Sequence, residues 1–349
     1  MKEFKKKKFY LSRYPDNLYP KPILEPRPDV SWEARAVFNP GVVKDGDMFH
    51  MLYRTYPVET IPTTPRGNRP GDVFAHRVSY IGYASSADGK IFERNDVPFI
   101  APDMPYDAYG CEDPRIVKID DTFYITYTAI DAPLGVPDAR PNIRIALATT
   151  KDFVTVEKHG IIGPATTSKA AAFFSEPVHE GRIGLALTIS SDSVNSHIAV
   201  RHYDSMDDVL TASPESWDAF LATSMDTAVL STYWWLHRGP ELGAPPIKTD
   251  RGWLFIFSAE SMSDSWTISA ALTDLDEPHK LVARAPGHIL QPAAPYERDG
   301  IVPNVTFPSG AAVVGDELYV YYGGADTVIG LATCKVNELL EHLEEFHMQ

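Results

Sequence analysis

The sequence predicts an all-β protein, a five-bladed β-propeller with a short C-terminal helix. The main observation is a repeat: a turn with acidic residues or glycine, followed by alternating aromatic and aliphatic residues, recurs five times at intervals of about 60 to 75 residues. Aromatic residues also make up 11% of the chain and prolines number 29, a composition typical of many short strands and turns. A two-sheet sandwich is the alternative, but it does not need so regular a repeat.

Each copy of the repeat is predicted to be the second strand of a hairpin, because its side chains alternate with period two. The five copies span residues 45–53, 120–127, 180–187, 250–257 and 315–322. A companion strand follows each copy, at residues 81–86, 145–150, 197–200, 268–273 and 329–333, and in four cases Asp follows closely: Asp88, Asp152, Asp204 and Asp274. Three to four strands in each of five units account for most of the chain.

The chain termini complete the prediction. We expect residues 1–349 to form one domain, with residues 1–30 as a proline-rich, extended arm over its surface. Residues 335–349 are expected to form the C-terminal helix, because Val336, Leu339, Leu340 and Leu343 make an amphipathic stripe.

Composition limits the partners and the compartment. The chain has 32 basic and 47 acidic residues, a net charge of −15, which argues against nucleic acid or an anionic membrane as the main partner. Two cysteines are too few for a disulfide framework or a cysteine zinc site. Without a secretory signal or an apolar run of about 18 residues, a soluble cytoplasmic protein is expected. A homo-oligomer remains open.

The inner strands of a propeller line a central funnel, so a site there should collect polar residues from each blade. The most informative segment is Glu112-Asp113-Pro114-Arg115. Adjacent carboxylates on a regular strand point to opposite faces, so one would face the axis while a neighbour such as Arg115 holds the other. Two carboxylates across a funnel suit cleavage of a glycosidic bond. The alternative is a solvated turn with a surface ion pair.

Across all five repeats the sequence resembles glycoside hydrolase family 130. The resemblance rests on the order and joint presence of segments 39–41, 52–54, 81–89, 110–115, 243–254 and 302–327. It implies a five-bladed propeller that acts on β-mannosides by phosphorolysis or hydrolysis, with inversion of configuration and without a metal.

The resemblance also implies roles for individual residues. Asp113 matches the general acid that protonates the leaving oxygen. Arg54, Arg115, Asn304 and Asp326 match residues that line the sugar subsites, and we expect Asn39 and Glu112 to bind substrate beside them. The alternative for each is a buried polar residue that ties blades together.

The sequence departs from the phosphorolytic pattern in two places. Phosphate needs several fixed cations, and of two basic positions in the third blade only Lys169 is basic, the other being Thr188. In the fourth blade Glu241 stands where phosphorylases tend to have Lys, and a carboxylate can deprotonate water. Glu241 is therefore our candidate base and Glu260 a weaker one. The alternative is an ion pair between Glu241 and Arg238.

The sequence thus predicts an inverting glycosidase that hydrolyses β-mannosidic bonds in short manno-oligosaccharides. The alternative is a β-mannoside phosphorylase that releases α-mannose 1-phosphate, with inorganic phosphate as co-substrate held by Lys169, His237 and Arg238. No other cofactor is expected. A non-catalytic sugar-binding propeller and a furanosidase are weaker alternatives. Tyr233, Trp234 and Trp235 could stack on sugars beside His237. The linkage depends on the long loops at residues 56–77, 130–142 and 211–235.

Overall fold

Five antiparallel sheets, arranged as the blades of a propeller, make up the computed structural model of the chain. It describes residues 8–61, 76–136, 139–232 and 236–346. Each sheet has four strands, and one carries an additional short strand. The predicted five-bladed propeller is confirmed.

The first two blades follow a single pattern in which each strand pairs with the next. Strand β1 (Ser12–Arg13) lies ahead of them in the chain. Blade 1 consists of β2 (Ala36–Asp45), β3 (Met48–Tyr56), β4 (Tyr80–Ser86) and β5 (Glu93–Arg94). Blade 2 consists of β6 (Gly110–Ile119), β7 (Thr122–Ile130), β8 (Ile143–Thr150) and β9 (Glu157–Ile161).

The other three blades vary this pattern. Blade 3 consists of β10 (Ala171–Phe173), β11 (Ile183–Ile189), β12 (His197–Tyr203) and β13 (Ala228–Leu230). Blade 4 consists of β14 (Leu236–Leu242), β15 (Ile247–Thr249), β16 (Gly252–Ser261), β17 (Trp266–Thr273) and β18 (Leu281–Arg284). Blade 5 consists of β19 (Thr306–Val314), β20 (Glu317–Gly324) and β21 (Val328–Lys335), and β1 pairs with β21 as its outer strand.

The five predicted repeats are the second strands of the five blades, and the companion strands are the third. In blades 1, 2 and 4 an Asp residue closes the turn between the third and fourth strands. Oδ1 of Asp88, Asp152 and Asp274 each accepts hydrogen bonds from two backbone N–H groups two and three residues further on. Asp204 differs, because it pairs with Arg182 at 2.9 Å.

The hydrophobic core is divided into five clusters, one between each pair of neighbouring blades. Between blades 3 and 4, for example, Phe174 packs edge-on against Trp253 at a ring-centroid distance of 4.8 Å. Because every blade buries one face against each neighbour, no blade has a complete core of its own. The packing of the ring as a whole therefore fixes the funnel.

Blades 1, 2 and 5 each contain a buried polar network of the same kind. In each, a tyrosine on the second strand donates a hydrogen bond to a buried carboxylate, which also pairs with a cation on the outer strand. The sets are Tyr53, Glu33 and Arg94; Tyr127, Asp107 and Lys158; and Tyr322, Glu297 and Arg13. The three carboxylate residues are fully buried, so the tyrosine and the cation satisfy charges that water cannot reach.

One of the helices lies within residues 211–235, which the sequence analysis predicted to be a long loop. Besides short helices α1 (Met206–Leu210) and α3 (Pro295–Arg298), α2 spans Pro214–Thr223 and α4 spans Val336–Glu344, the latter within the predicted C-terminal helix. Helix α2 has a recognisable start, since the Ser213 side chain accepts from Ser216 N and Pro214 occupies the first turn. Within the described part of the chain, no helix is long and apolar enough to cross a membrane.

His202 gives a testable property of the interface between blades 3 and 4. Burial, followed by the positive charges of His179, His279 and Arg182, lowers the pKa of His202 from 6.5 to about 4. The unfolded chain therefore takes up this proton at a higher pH than the folded one, and stability falls as pH drops from 6.5 toward 4. We expect His202→Gln to flatten that part of the curve, measured by urea unfolding between pH 4 and 8. Equal slopes in both proteins would contradict the assignment.

Candidate active site

Bulges on the inner strands bring the polar residues to the axis. The pairing register shifts on β2 between Phe38 and Gly41 and on β6 between Glu112 and Arg115. Asn39 and Asp113 occupy these bulges with φ of 48° and 49°, and each is followed by proline, which has no N–H to pair. The equivalent shift on β14 contains Gly239-Pro240. The bulges turn the side chains of Asn39 and Asp113 toward one another.

Asp113 lies at the centre of a hydrogen-bonded cluster. Its Oδ1 accepts from Asn39 Nδ2 at 2.9 Å and from Arg54 Nη1 at 3.1 Å. Arg54 Nη2 also pairs with Glu112 Oε1 at 2.5 Å, and Ser79 Oγ donates to the same oxygen at 3.0 Å. The expectation that the two carboxylates would diverge is therefore wrong: the bulge breaks the alternation, and one guanidinium holds both.

Glu112 and Asp113 share Arg54 but differ in their other neighbours, and their pKa values shift in opposite directions. Burial raises the pKa of Glu112 above its ordinary value despite Arg54. For Asp113, burial acts in the same direction, but Arg54, Arg115 and the hydrogen bond from Asn39 lower the pKa below its ordinary value. In the free site the proton of this pair is therefore taken up by Glu112 first. The described hydrogen bonds to Asp113 end on Oδ1, which leaves Oδ2 open to the funnel.

Arg115 lies behind this cluster and is 1% exposed. Its Nε donates to Gly243 O at 3.1 Å, its Nη2 to Leu242 O at 2.9 Å and its Nη1 to Asp113 O at 2.7 Å. The first two bonds run from blade 2 to blade 4, and the third stays within blade 2. In this structure the side chain of Arg115 thus ties blades together and supports the backbone of Asp113.

The wall opposite contains Lys169, Asp192 and Glu241. Lys169 Nζ pairs with the Asp192 carboxylate, and Asp192 N donates to Glu241 Oε1 at 2.7 Å. Glu241 is 2% exposed, and burial together with the charge of Asp192 raises the pKa of Glu241 to about 7. Burial lowers the pKa of Lys169, but the negative charges of Asp192 and Glu241 outweigh burial and raise it above the ordinary value. Thr188 is fully buried and accepts from Leu242 N at 2.8 Å.

Blade 4 adds a second ionic group. Arg238 pairs with Glu260. Glu241 instead accepts a hydrogen bond from Asp192 N, so the alternative of an ion pair between Arg238 and Glu241 is wrong. His237 Nδ1 lies 3.5 Å from Glu260 Oε2 and 3.4 Å from Asp264 Oδ1. These three residues have ligand atoms within 4.8 Å of one another and could hold a metal ion. Arg238 already neutralises Glu260, which weakens that arrangement as a cation site.

Two predicted residues come from blade 5. Asp326 lies in the turn between β20 and β21, where burial and the charge of Asp113, against Arg54, raise its pKa to about 7. Among the described residues no hydrogen bond reaches its carboxylate, which suits an acceptor for sugar hydroxyls. Asn304 lies ahead of β19 at φ 61° with an exposed side chain, and its backbone O accepts from Trp266 N at 3.0 Å.

The charge of Lys169 relates the polar groups of different blades to one another. The charge of Lys169 acts on Glu112, Asp113, Glu241 and Asp326, which come from blades 2, 4 and 5. Asp192 and Tyr56, whose hydroxyl accepts from Arg54, belong to this group but were not found from the sequence. Asp192 lies in a Ser- and Asp-rich turn without an alternating pattern. Tyr233, Trp234 and Trp235 fall outside the described residues.

Comparisons with known proteins identify the family. The sequence model of glycoside hydrolase family 130, described as "beta-1,4-mannooligosaccharide phosphorylase", matches residues 21–345. A 1,2-β-oligomannan phosphorylase of Thermoanaerobacter sp. (strain X514) is 31% identical over 319 residues, covering 91% of this chain and 96% of that protein. A β-1,2-mannobiose phosphorylase of the same strain is 34% identical over 312 residues, covering 89% and 94%.

A solved structure agrees with the sequence relatives. The β-1,2-mannobiose phosphorylase from Listeria innocua, in complex with β-1,2-mannobiose, has a TM-score of 0.70 and 25% identity. The match covers 96% of this chain and 99% of that one. A family match over almost the whole chain, with the same five-bladed architecture, leads to one conclusion: the chain belongs to glycoside hydrolase family 130.

Proposed function

We propose that the chain is a β-mannoside phosphorylase acting on short β-1,2-linked manno-oligosaccharides. The observation that carries the proposal is the Asp113 carboxylate at the axis, fixed by Asn39 and Arg54 and facing the charge of Lys169. The named relatives at 31% and 34% identity are phosphorylases of 1,2-linked β-mannosides, which supports both the acceptor and the linkage.

In the proposed reaction a phosphate oxygen attacks the anomeric carbon from the face opposite the leaving group. The new carbon–oxygen bond forms as the glycosidic bond breaks, and the leaving oxygen takes a proton from Asp113. Inversion converts the β-mannoside into α-mannose 1-phosphate and a shortened saccharide. Inorganic phosphate is the co-substrate, and no further cofactor enters the scheme.

Asp113 must be protonated to act as the general acid, and substrate binding is expected to favour its protonated form. Arg54 holds the pKa of Asp113 low in the free site, whereas a general acid needs its proton at the working pH. A bound sugar displaces water from the funnel and leaves Oδ2 in a drier environment, which favours the protonated form. The developing negative charge on the leaving oxygen then draws the proton away from Oδ2.

Hydrolysis is the second candidate, and a specific observation favours it. Lys169 and Arg238, two of the three residues predicted to hold phosphate, are each paired with a carboxylate, Asp192 and Glu260. Glu241 is also buried beside them, where a phosphate dianion would be repelled. With water as acceptor, Glu241 would take a proton from the water as its oxygen bonds to the anomeric carbon.

Phosphate dependence decides between the two acceptors. We expect β-1,2-mannobiose to be cleaved only with inorganic phosphate, giving mannose 1-phosphate, detected by anion-exchange chromatography. Glu241→Gln should then keep or increase turnover, because it removes a repelling charge. If Glu241 is instead the base for water, cleavage proceeds without phosphate and the same variant loses about 10²-fold or more. Glu176→Gln, which breaks an exposed pair with Lys248, is the matched control.

A further inference from the structure

Hydrogen bonds hold the backbone of Lys169 in place, so a change of ionic partner involves its side chain alone. Lys169 N donates to Ser191 Oγ at 3.1 Å, and its carbonyl accepts from Thr128 Oγ1 at 2.5 Å. The ammonium reaches out from this anchored backbone and pairs with the Asp192 carboxylate. An anion in the funnel therefore meets a lysine that is already occupied.

Asp192 contacts two functional groups at once. Its carboxylate holds Lys169, and its backbone N–H donates to Glu241 Oε1 at 2.7 Å. This requires an unusual turn between β11 and β12, in which Ser190 has φ 58° and Asp192 has φ 60°. Left-handed backbone at two non-glycine residues costs free energy, and such strain is often found where a site needs a particular geometry.

The Asp192 carboxylate occupies the place that a phosphate oxygen would take on Lys169. Both are anionic oxygens that accept from an ammonium, so they compete for it. Because Asp192 is part of the chain, its effective concentration beside Lys169 exceeds that of a free ion. A water molecule that acts as acceptor carries no charge and does not need to pair with Lys169. An ion pair of this kind therefore weakens the binding of phosphate to Lys169.

We propose that Asp192 sets the affinity of the site for phosphate: its carboxylate competes with phosphate for Lys169, while its N–H orients Glu241. This inference rests on the proposed β-mannoside cleavage, and in it Asp192 is a positioning residue that acts through Lys169 and Glu241. The charges of Arg115 and Arg238 also act on Glu241, from blades 2 and 4, and Arg238 acts on Asp192 as well.

The variant Asp192→Asn tests this inference, because Asn keeps the N–H to Glu241 and tolerates the left-handed backbone. We expect inorganic phosphate to bind roughly five- to tenfold more tightly in calorimetric titration, since one partly exposed ion pair is removed. The KM for phosphate should fall by a similar factor while kcat changes less.

Two further variants make the result specific. In a Lys169→Ala background the Asn substitution should no longer change phosphate affinity, because the contested cation is absent. Glu176→Gln, on an exposed pair with Lys248, should leave phosphate affinity unchanged. Asp192→Ser provides a second test if the Asn variant fails to fold, as judged by circular dichroism.

The outcomes separate the two proposals. Unchanged phosphate affinity in Asp192→Asn would overturn the inference, as would a gain that persists without Lys169. If the wild-type protein cleaves no β-mannoside with either acceptor, the proposed function fails. Calorimetry with phosphate still decides in that case whether Asp192 competes for Lys169.

Discussion

Asp113→Asn is expected to lower kcat for β-1,2-mannobiose by about 10²- to 10⁴-fold, the range for loss of a general acid. An amide at this position cannot transfer a proton to the leaving oxygen. Its oxygen can still accept from Arg54 and Asn39, and Asn tolerates the φ of 49°, so the bulge is preserved. The change therefore removes the proton while preserving the shape of the site.

The leaving group provides the control for this prediction. An aryl β-mannoside with a strongly acidic phenol needs no proton, so Asp113→Asn should lose much less activity on it than on mannobiose. Asp121→Asn, in an exposed turn paired with Lys151, should match the wild-type protein on both substrates. An equal loss on both substrates would show that Asp113 positions the sugar instead of protonating it.

Arg13→Met is expected to lower the free energy of unfolding by about 3–5 kcal/mol, the range for removing one partner of a buried ion pair. Arg13 Nε lies 2.7 Å from Glu297 Oε1, and the Glu297 side chain is 0% exposed. Without the guanidinium, Tyr322 and the N–H groups of Ala293 and Ala294 remain to compensate a buried charge. Strand β1 loses the side-chain bonds of Arg13 at the same time and keeps its backbone pairing with β21.

A second arginine serves as the comparison. Arg251→Met breaks a more exposed pair with Glu344, 3.0 Å apart, and should cost at most about 1 kcal/mol. Both variants are measured by urea unfolding at pH 7, followed by tryptophan fluorescence. If Arg13→Met costs no more than Arg251→Met, the closing strand depends on backbone pairing alone.

The strands could be predicted because their side chains alternate with a fixed period of two. The number of blades followed from the five copies of this pattern. The positions of Asn39, Asp113 and Glu241 on inner strands followed in the same way. The directions of Glu112 and Asp113 did not, since a bulge resets the period within one strand. The signal was present in the prolines after Asn39 and Asp113, which cannot donate to a partner strand.

Contacts between distant segments set the limit of sequence reasoning. Asp192 lies in a turn that no periodic pattern marks, and its partners Lys169 and Glu241 are 23 and 49 positions away. The same holds for the Tyr322 network, which joins residues from both ends of the chain. Helix α2 was accessible in principle, because Ser213 and Pro214 form a recognisable helix start.

The pairing of Ser12 with Thr333 has a consequence for synthesis on the ribosome. The first strand leaves the exit tunnel long before its partner β21 is translated, so the ring stays open until nearly the whole chain has emerged. During that interval β1 has no partner strand and the funnel is incomplete. A nascent chain that stalls early can bury apolar surface between completed blades, but it cannot assemble the site.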